Sequence, residues 1–233
     1  MNNKIWYKEK GFYNNPFSIK PAAFHDDLSG PLAKFRRINN LIATGNVCLI
    51  TGAYGSGKTS ILKRVIHRFR GDKKIVYFSC NRREDVLNLD RFLLERTFFN
   101  KLFGLKSKGM ILLLDEVQGL SEKESNSLAY HYEQGYFRAI ALATKDQTDL
   151  VLTSRLRKLI GPNVFVLQRL NSLEAVELVR RRFGPLKFLS DSIIRKIYRL
   201  DPNPRALLEN CEDACRNAFN AGSKEVLSKH LPR

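Results

Sequence analysis

The chain is poor in the residues that build stapled or metal-held folds. Four cysteines, at 48, 80, 211 and 215, and four histidines are spread over 233 residues. So few cysteines exclude a disulfide framework. Cys48 and Cys80 fall in apolar runs, and Cys211 and Cys215 lie one helical turn apart on an apolar stripe, as core residues of an intracellular protein do. No second Cys or His pair lies near Cys211 and Cys215, and the histidines show no ligand spacing, which excludes a zinc site. No apolar run approaches the roughly 18 residues of a membrane span. The stretch Met1–Lys10 has no apolar middle and does not read as a signal peptide, so a cytoplasmic location is expected. There is no internal repeat, low-complexity run or long linker. Acid is the largest shortage: 23 Asp and Glu stand against 40 Lys and Arg, a net charge of +17.

What the sequence does contain is a phosphate-binding loop. Gly52-Ala53-Tyr54-Gly55-Ser56-Gly57-Lys58-Thr59 matches G-x-x-x-x-G-K-[ST], between an apolar run at Val47–Ile50 and a helical run opening at Ser60. Its glycines let backbone N–H groups turn inward around an anion, and the helix N-terminus adds its own free N–H groups. In that frame Lys58 reaches the β- and γ-phosphates and the Thr59 hydroxyl ligates Mg²⁺. A second motif, Met110-Ile-Leu-Leu-Leu-Asp115-Glu116, is a short apolar strand ending in two carboxylates. Asp115 fits the acid that organises the metal, and Glu116 the base that activates water for attack on the γ-phosphate. The guanine-reading [NT]-K-x-D pattern is missing, because Thr144-Lys145-Asp146 lacks the intervening residue. A GTPase is therefore not expected.

In this order the motifs resemble the AAA+ ATPases, over most of the chain from about Tyr7 onward, and the resemblance implies ATP or ADP as the nucleotide. The resemblance implies that Thr144, at the end of the strand-like Tyr136–Thr144, is the sensor-1 residue. It implies that Arg205 of Asn203-Pro-Arg205 is the sensor-2 arginine, and that Arg155 or Arg157 is a finger reaching a neighbour's site. Ser79 or Asn81 is placed to restrain Glu116. Gly11–Ser18, with Asn15-Pro16-Phe17, is similar to the opening of general-secretion and transposition-regulator ATPases. Asn203–Leu208 is similar to the lid of origin-recognition ATPases, which carry a winged helix after it. This chain ends at Arg233 without room for one, so sequence-specific duplex reading is not expected.

Apolar runs at 47–51, 75–80, 110–115, 137–143 and 163–167 predict five short buried strands. Their continuous hydrophobicity suits a parallel sheet with helices on both faces. The fold class expected is α/β: a P-loop NTPase core with a five-stranded parallel sheet flanked by helices, then a small all-helical lid. Residues 1–171 would form the core with its N-terminal extension, and 172–233 the lid. Residues 81–108 carry an apolar face through Leu87, Phe92, Phe98 and Leu102 and predict helix. In the lid, Asn171 and Glu174 form a capping box. Leu173, Val176, Val179 and Phe183 make one stripe, Ile193, Ile194 and Ile197 a second, and Leu208, Cys211, Cys215 and Phe219 a third. A short fourth helix is expected through Val226 and Leu227.

The charge surplus is concentrated in the core. Lys58–Arg83 holds nine basic residues and one acid, and Lys34, Arg36 and Arg37 add a smaller cluster. Such a field favours a polyanion, DNA above all, bound without sequence preference. The candidates after Lys58 are Lys63, Arg64, Arg68, Arg70, Lys73, Lys74, Arg82 and Arg83. Of these, Arg82 and Arg83 stand foremost, because in AAA+ relatives the loop after the second strand faces the central channel. The function expected is an ATPase that uses Mg²⁺ and ATP to control a homo-oligomeric ring or filament on nucleic acid. The alternatives are a secretion-type motor or regulator without DNA, and a nucleotide-dependent signalling switch.

Overall fold

A computed structural model of the chain describes residues 5–19, 32–69, 74–80, 108–146, 148 and 150–232. Its strands are β1 (Val47–Thr51), β2 (Ile75–Ser79), β3 (Met110–Asp115), β4 (Phe137–Thr144) and β5 (Val164–Val166). They form one five-stranded sheet in the order β2-β3-β4-β1-β5, with each neighbouring pair parallel. Every residue of β1 and β3 is buried, the condition under which continuous apolar runs are stable as strands. The expected strands are all present, with ends that differ by a residue, as frayed termini do.

The chain divides into two compact units. The core unit takes in the described parts of Ala33–Ala53 and Lys58–Leu167. Besides the sheet it holds helices α2 (Leu32–Ala43), α3 (Lys58–Arg68), α4 (Glu122–Glu133) and α5 (Ser154–Ile160). Ser121 and Glu124 close a capping box at the start of α4, and Thr153 caps α5. Parallel pairing brings the carboxyl ends of the strands to one edge of the sheet. Thr51 stands opposite Thr144, and Ser79 opposite Asp115. The helix expected over 81–108 lies outside the described residues, apart from Lys108.

The helical unit takes in Gln168–Arg233, the loop residues Tyr54–Gly57 and the described part of Met1–Leu32. Its helices are α1 (Trp6–Glu9), α6 (Ser172–Phe183), α7 (Asp191–Leu200) and α8 (Pro204–Asn220). The N-terminal segment therefore clusters with the helical unit, whereas the sequence grouped residues 1–171 together. The cause is aromatic. Phe17 is fully buried and stacks on Phe183 at 5.3 Å and on Trp6 at 5.9 Å between ring centroids. Asn15 accepts a hydrogen bond from the Phe17 N–H at 2.9 Å, and Arg182 donates to the Ser18 carbonyl at 3.0 Å. Asn15-Pro16-Phe17 is thus a local turn that delivers one aromatic anchor.

Two details of the lid differ from expectation. The Asn171–Glu174 capping box forms, but Leu173 is 69% exposed, and Ala175 and Leu178 are buried beside Val176, Val179 and Phe183. Leu173 is the second residue of its helix, before the stripe turns inward. No α-helix runs through Val226 and Leu227. Val226 is buried in extended chain, its N–H bonded to the Phe188 carbonyl at 2.8 Å, and a 3-10 turn follows at Ser228–His230.

Replacing Phe17 by Ala removes the centre of the aromatic cluster. It should cost about 3–5 kcal/mol of helical-unit stability, the usual range for a buried aromatic. Tyr13, 91% exposed in the same segment, should tolerate Ala within about 0.5 kcal/mol. Urea unfolding of the two variants checks the pair.

Candidate functional site

The site is built where β1 and β3 end. β1 runs out at Thr51, the chain turns through Gly52–Gly57, and α3 begins at Lys58. Gly55 and Gly57 hold φ of +79° and +97°, a region open to glycine and strained for other residues. Lys58 is only 4% exposed. Its ammonium donates to the Gly52 carbonyl at 2.7 Å and to the Ala53 carbonyl at 3.2 Å. Burial lowers its pKa, opposed by the nearby carboxylates of Glu116 and Asp115 and reinforced by Lys145. The Ser56 hydroxyl is buried with no hydrogen-bond partner among the described residues. Ser60 follows in the first turn of α3, half-buried.

Asp115, at the end of β3, is the convergence point. One carboxylate oxygen accepts from the Thr59 hydroxyl at 2.7 Å and from the Tyr77 hydroxyl at 2.9 Å. The other accepts from the Glu116 N–H at 3.1 Å. Burial, then Asp115 and Glu116, raise the Tyr77 pKa, so the phenol stays protonated and donates. Glu116 has φ 56°, the one non-glycine residue with positive φ among those described. Such a conformation costs on the order of 1 kcal/mol and persists where neighbours hold it. Gln118 holds the side chain, donating to the Glu116 carboxylate at 2.9 Å. Among the described residues no side-chain bond joins Ser79 to Glu116, Asn81 lies outside them, and Gln118 holds the Glu116 carboxylate.

Donor chemistry at this edge suits a hard cation. The Thr59 hydroxyl and Asp115 carboxylate supply oxygen ligands, and no group of three or more His, Cys, Asp or Glu able to hold a metal occurs among the described residues. That pairing fits Mg²⁺, which takes one or two protein oxygens and completes its shell with water and phosphate. Thr144, at the neighbouring strand end, is fully buried and donates to the Asp146 carbonyl at 3.0 Å.

Within the helical unit, Asn203 caps α8 by accepting from the Arg205 N–H at 2.8 Å. Its amide nitrogen donates to the Tyr54 carbonyl at 2.5 Å. A Cβ on Gly55 would collide with that amide. The Arg205 guanidinium lies 5.2 Å from the centre of the Tyr54 ring, donates to the Tyr54 hydroxyl, and bonds Glu209 at 3.1 Å. Arg205 is thus brought onto the loop tip Tyr54–Gly57.

The remaining candidates separate. Arg155 on α5 donates through Nε and Nη2, one edge of its guanidinium, to the Glu133 carboxylate on α4. Arg157, two residues further along α5, is exposed and has no polar partner among the described residues. Lys74 is exposed before β2, while Lys73, Arg82 and Arg83 lie outside the described residues. Sequence reading missed Tyr77 and Gln118. The available signals were a polar-tipped residue inside the apolar run of β2, and a glutamine two residues beyond the Asp-Glu pair.

Comparison with known proteins agrees with this geometry. Residues 44–156 match the model of the AAA domain. The mitochondrial Rho GTPase 1 of Cryptococcus neoformans is 27% identical over 210 residues, 82% of this chain and 30% of that protein. Among solved structures, the Aeropyrum pernix ORC1 protein in complex with DNA superposes with a TM-score of 0.69 at 15% identity, covering 89% of this chain and 65% of that one. Cdc6p from Pyrobaculum aerophilum gives 0.68 at 15% identity, over 91% of this chain and 67% of that one. The chain spans under a third of the curated relative and just under two thirds of the ORC1 chain. Among the described residues no helix is long and apolar enough to cross a membrane. Residues 44–156 thus resemble an AAA domain, and the chain shares the fold of the solved ORC1 and Cdc6p structures.

Proposed function

We propose that the protein binds ATP with Mg²⁺ at the Gly52–Thr59 loop and hydrolyses it, using the cycle to control its own assembly on nucleic acid. The observation that carries this reading is the 2.7 Å bond between Thr59 and Asp115. It joins the last residue of a phosphate loop to the strand-end carboxylate, as a metal–triphosphate site requires. Backbone N–H groups of Gly52–Ser60 and the Lys58 ammonium bind the phosphates. Thr59 and Asp115 hold Mg²⁺, which supplies charge neutralisation when bound. Tyr77 fixes the Asp115 carboxylate. Glu116 accepts the proton of the water whose oxygen attacks the γ-phosphorus as the bond to the β-phosphate oxygen breaks, giving ADP and phosphate. Thr144 orients that water, and Arg205 senses the γ-phosphate from the loop tip.

Adenine is favoured over guanine because the guanine-reading pattern is missing from the chain. The nucleic-acid part is supported by the +17 net charge and by the similarity to an ORC1 bound to DNA. Arg82, Arg83, Lys73 and Lys74 are its sequence-level candidates. Assembly as a homo-oligomer puts an arginine of one copy at the ATP of the next. Arg155 and Arg157 are the two candidates; Arg155 is engaged in an exposed pair with Glu133, which favours Arg157. The free thiols at Cys48, Cys80, Cys211 and Cys215 suit a cytoplasmic site of action.

Lys58→Ala should abolish ATP binding, since the loop loses its cation. Glu116→Gln should keep binding and lower turnover by about 10²–10⁴-fold, the usual contribution of a general base. Calorimetric titration together with steady-state phosphate release checks both. A Glu116→Gln protein turning over at the wild-type rate would remove Glu116 from the chemistry.

Arg157→Ala should bind ATP normally and hydrolyse about 10³–10⁵-fold more slowly, the range of arginine-finger effects. Arg155→Ala should retain turnover. Mixing Arg157→Ala with Lys58→Ala should restore part of the activity, since each copy supplies the group the other lacks. Phosphate release from mixtures of verified mixed oligomers reads this directly.

A further inference from the structure

Two helices of the core unit carry charge of one sign that the nucleotide chemistry does not use. α2 reads LAKFRRINNLIA and α3 reads KTSILKRVIHR, and neither contains Asp or Glu. The apolar residues of both face inward: Phe35, Ile38 and Ile42 on α2, and Ile61, Leu62 and Val65 on α3, are buried. The outward faces hold Arg36 and Arg37 on α2 and His67 and Arg68 on α3, all exposed, with Lys63 and Arg64 half-exposed.

One side-chain contact joins the two helices. The Arg64 guanidinium reaches across to lie 4.5 Å over the ring of Phe35, and Arg37 lies 5.5 Å over Phe165 on β5. Arginines seated on aromatic planes lose less freedom when they bind a ligand than freely rotating ones. Nη1 of Arg64 is buried without a hydrogen-bond partner among the described residues. Some arginines of the helical unit are neutralised on their own helices. On α6 and α8, Arg181 pairs with Glu177 and Arg216 with Glu212, each one turn away on its own helix. Two helices without acid, in a chain of net charge +17, favour a polyanion.

We infer that the α2–α3 face is a docking surface for the phosphate backbone of duplex nucleic acid, with Arg36, Arg37, Arg64 and Arg68 as phosphate contacts. This rests on the nucleic-acid reading above and gives it a place on described residues, apart from Arg82 and Arg83. A lipid surface fits less well. Helices that lie on membranes present large apolar side chains beside their basic ones, and none of the exposed large hydrophobic residues described is on α2 or α3. Phosphate contacts of this sort carry no sequence preference.

The test is fluorescence anisotropy of a 30-base-pair duplex with the intact chain and ATP across a salt series. Three variants are compared with wild type: Arg36→Ala/Arg37→Ala/Arg68→Ala, Arg36→Ala/Arg68→Ala, and Arg82→Ala/Arg83→Ala. Each lost phosphate contact lowers the slope of log affinity against log salt by about 0.9. The triple variant should therefore lose about 2.7 from the slope, and the double about 1.8, at unchanged ATP binding. The double variant removes two exposed side chains that have no polar partner among the described residues, and stands in if the triple does not fold. If wild type binds DNA and the double variant keeps both affinity and slope, the surface is overturned while the proposed function stands. Failure of wild type to bind DNA at all overturns the surface and the nucleic-acid reading together. Binding to phosphatidylserine vesicles, lost in the double variant, with no binding to DNA, overturns the inference in favour of a membrane surface.

Discussion

The Asp115 carboxylate is the constraint around which the core unit is arranged. A charged group only 2% exposed is unfavourable unless its oxygens are occupied, and here three donors from three places in the chain occupy them. Thr59 comes from the start of α3, Tyr77 from inside β2, and the Glu116 N–H from the residue after β3. Those bonds require β3 to end level with the loop after β1. The sheet order ensures it by placing β4 between β1 and β3, with all three strands parallel. The Glu116 N–H points back at Asp115 while its backbone adopts a left-handed conformation, with the side chain held by Gln118. Satisfying one buried carboxylate and setting the proposed base in place are therefore linked.

Much of this was legible in the sequence because it is local. The phosphate loop is eight consecutive residues whose spacing has one physical use, and the strands of the sheet are short, mainly apolar runs. Asn203-Pro-Arg reads as a helix start because a side-chain cap followed by proline fixes the first turn. What stayed hidden depended on register or on tertiary packing. Tyr77 reaches Asp115 only because β2 lies beside β3 with Ser79 opposite Asp115, and no pattern within β2 declares its neighbour. Leu173 looks like the first residue of an apolar stripe, yet it stands in the exposed opening turn of α6. Val226 looked helical, but the extended chain pairs it with Phe188, which no helical period reveals.

The N-terminal segment shows a motif whose shape has a packing cause. Asn15-Pro16-Phe17 turns the chain and buries one ring among Trp6, Phe12 and Phe183. A segment joined to β1 through α2 thereby belongs to the helical unit. The phosphate-loop tip, Tyr54–Gly57, clusters there as well through Asn203 and Arg205. In sequence the loop runs from β1 to α3, and within the helical unit Asn203 bonds the Tyr54 carbonyl. That arrangement ties the phosphate loop to a residue, Arg205, proposed to sense what the loop holds.

The central claim is that Thr59 and Asp115 form one half of a metal–triphosphate site. Calorimetric titration of the intact chain with ATP, in Mg²⁺ and again in EDTA, tests it most directly. The account predicts one ATP per chain and tighter binding with Mg²⁺ than with EDTA, with the metal dependence lost in Asp115→Asn. Absence of ATP binding, or an affinity indifferent to Mg²⁺ in the wild-type chain, would contradict it.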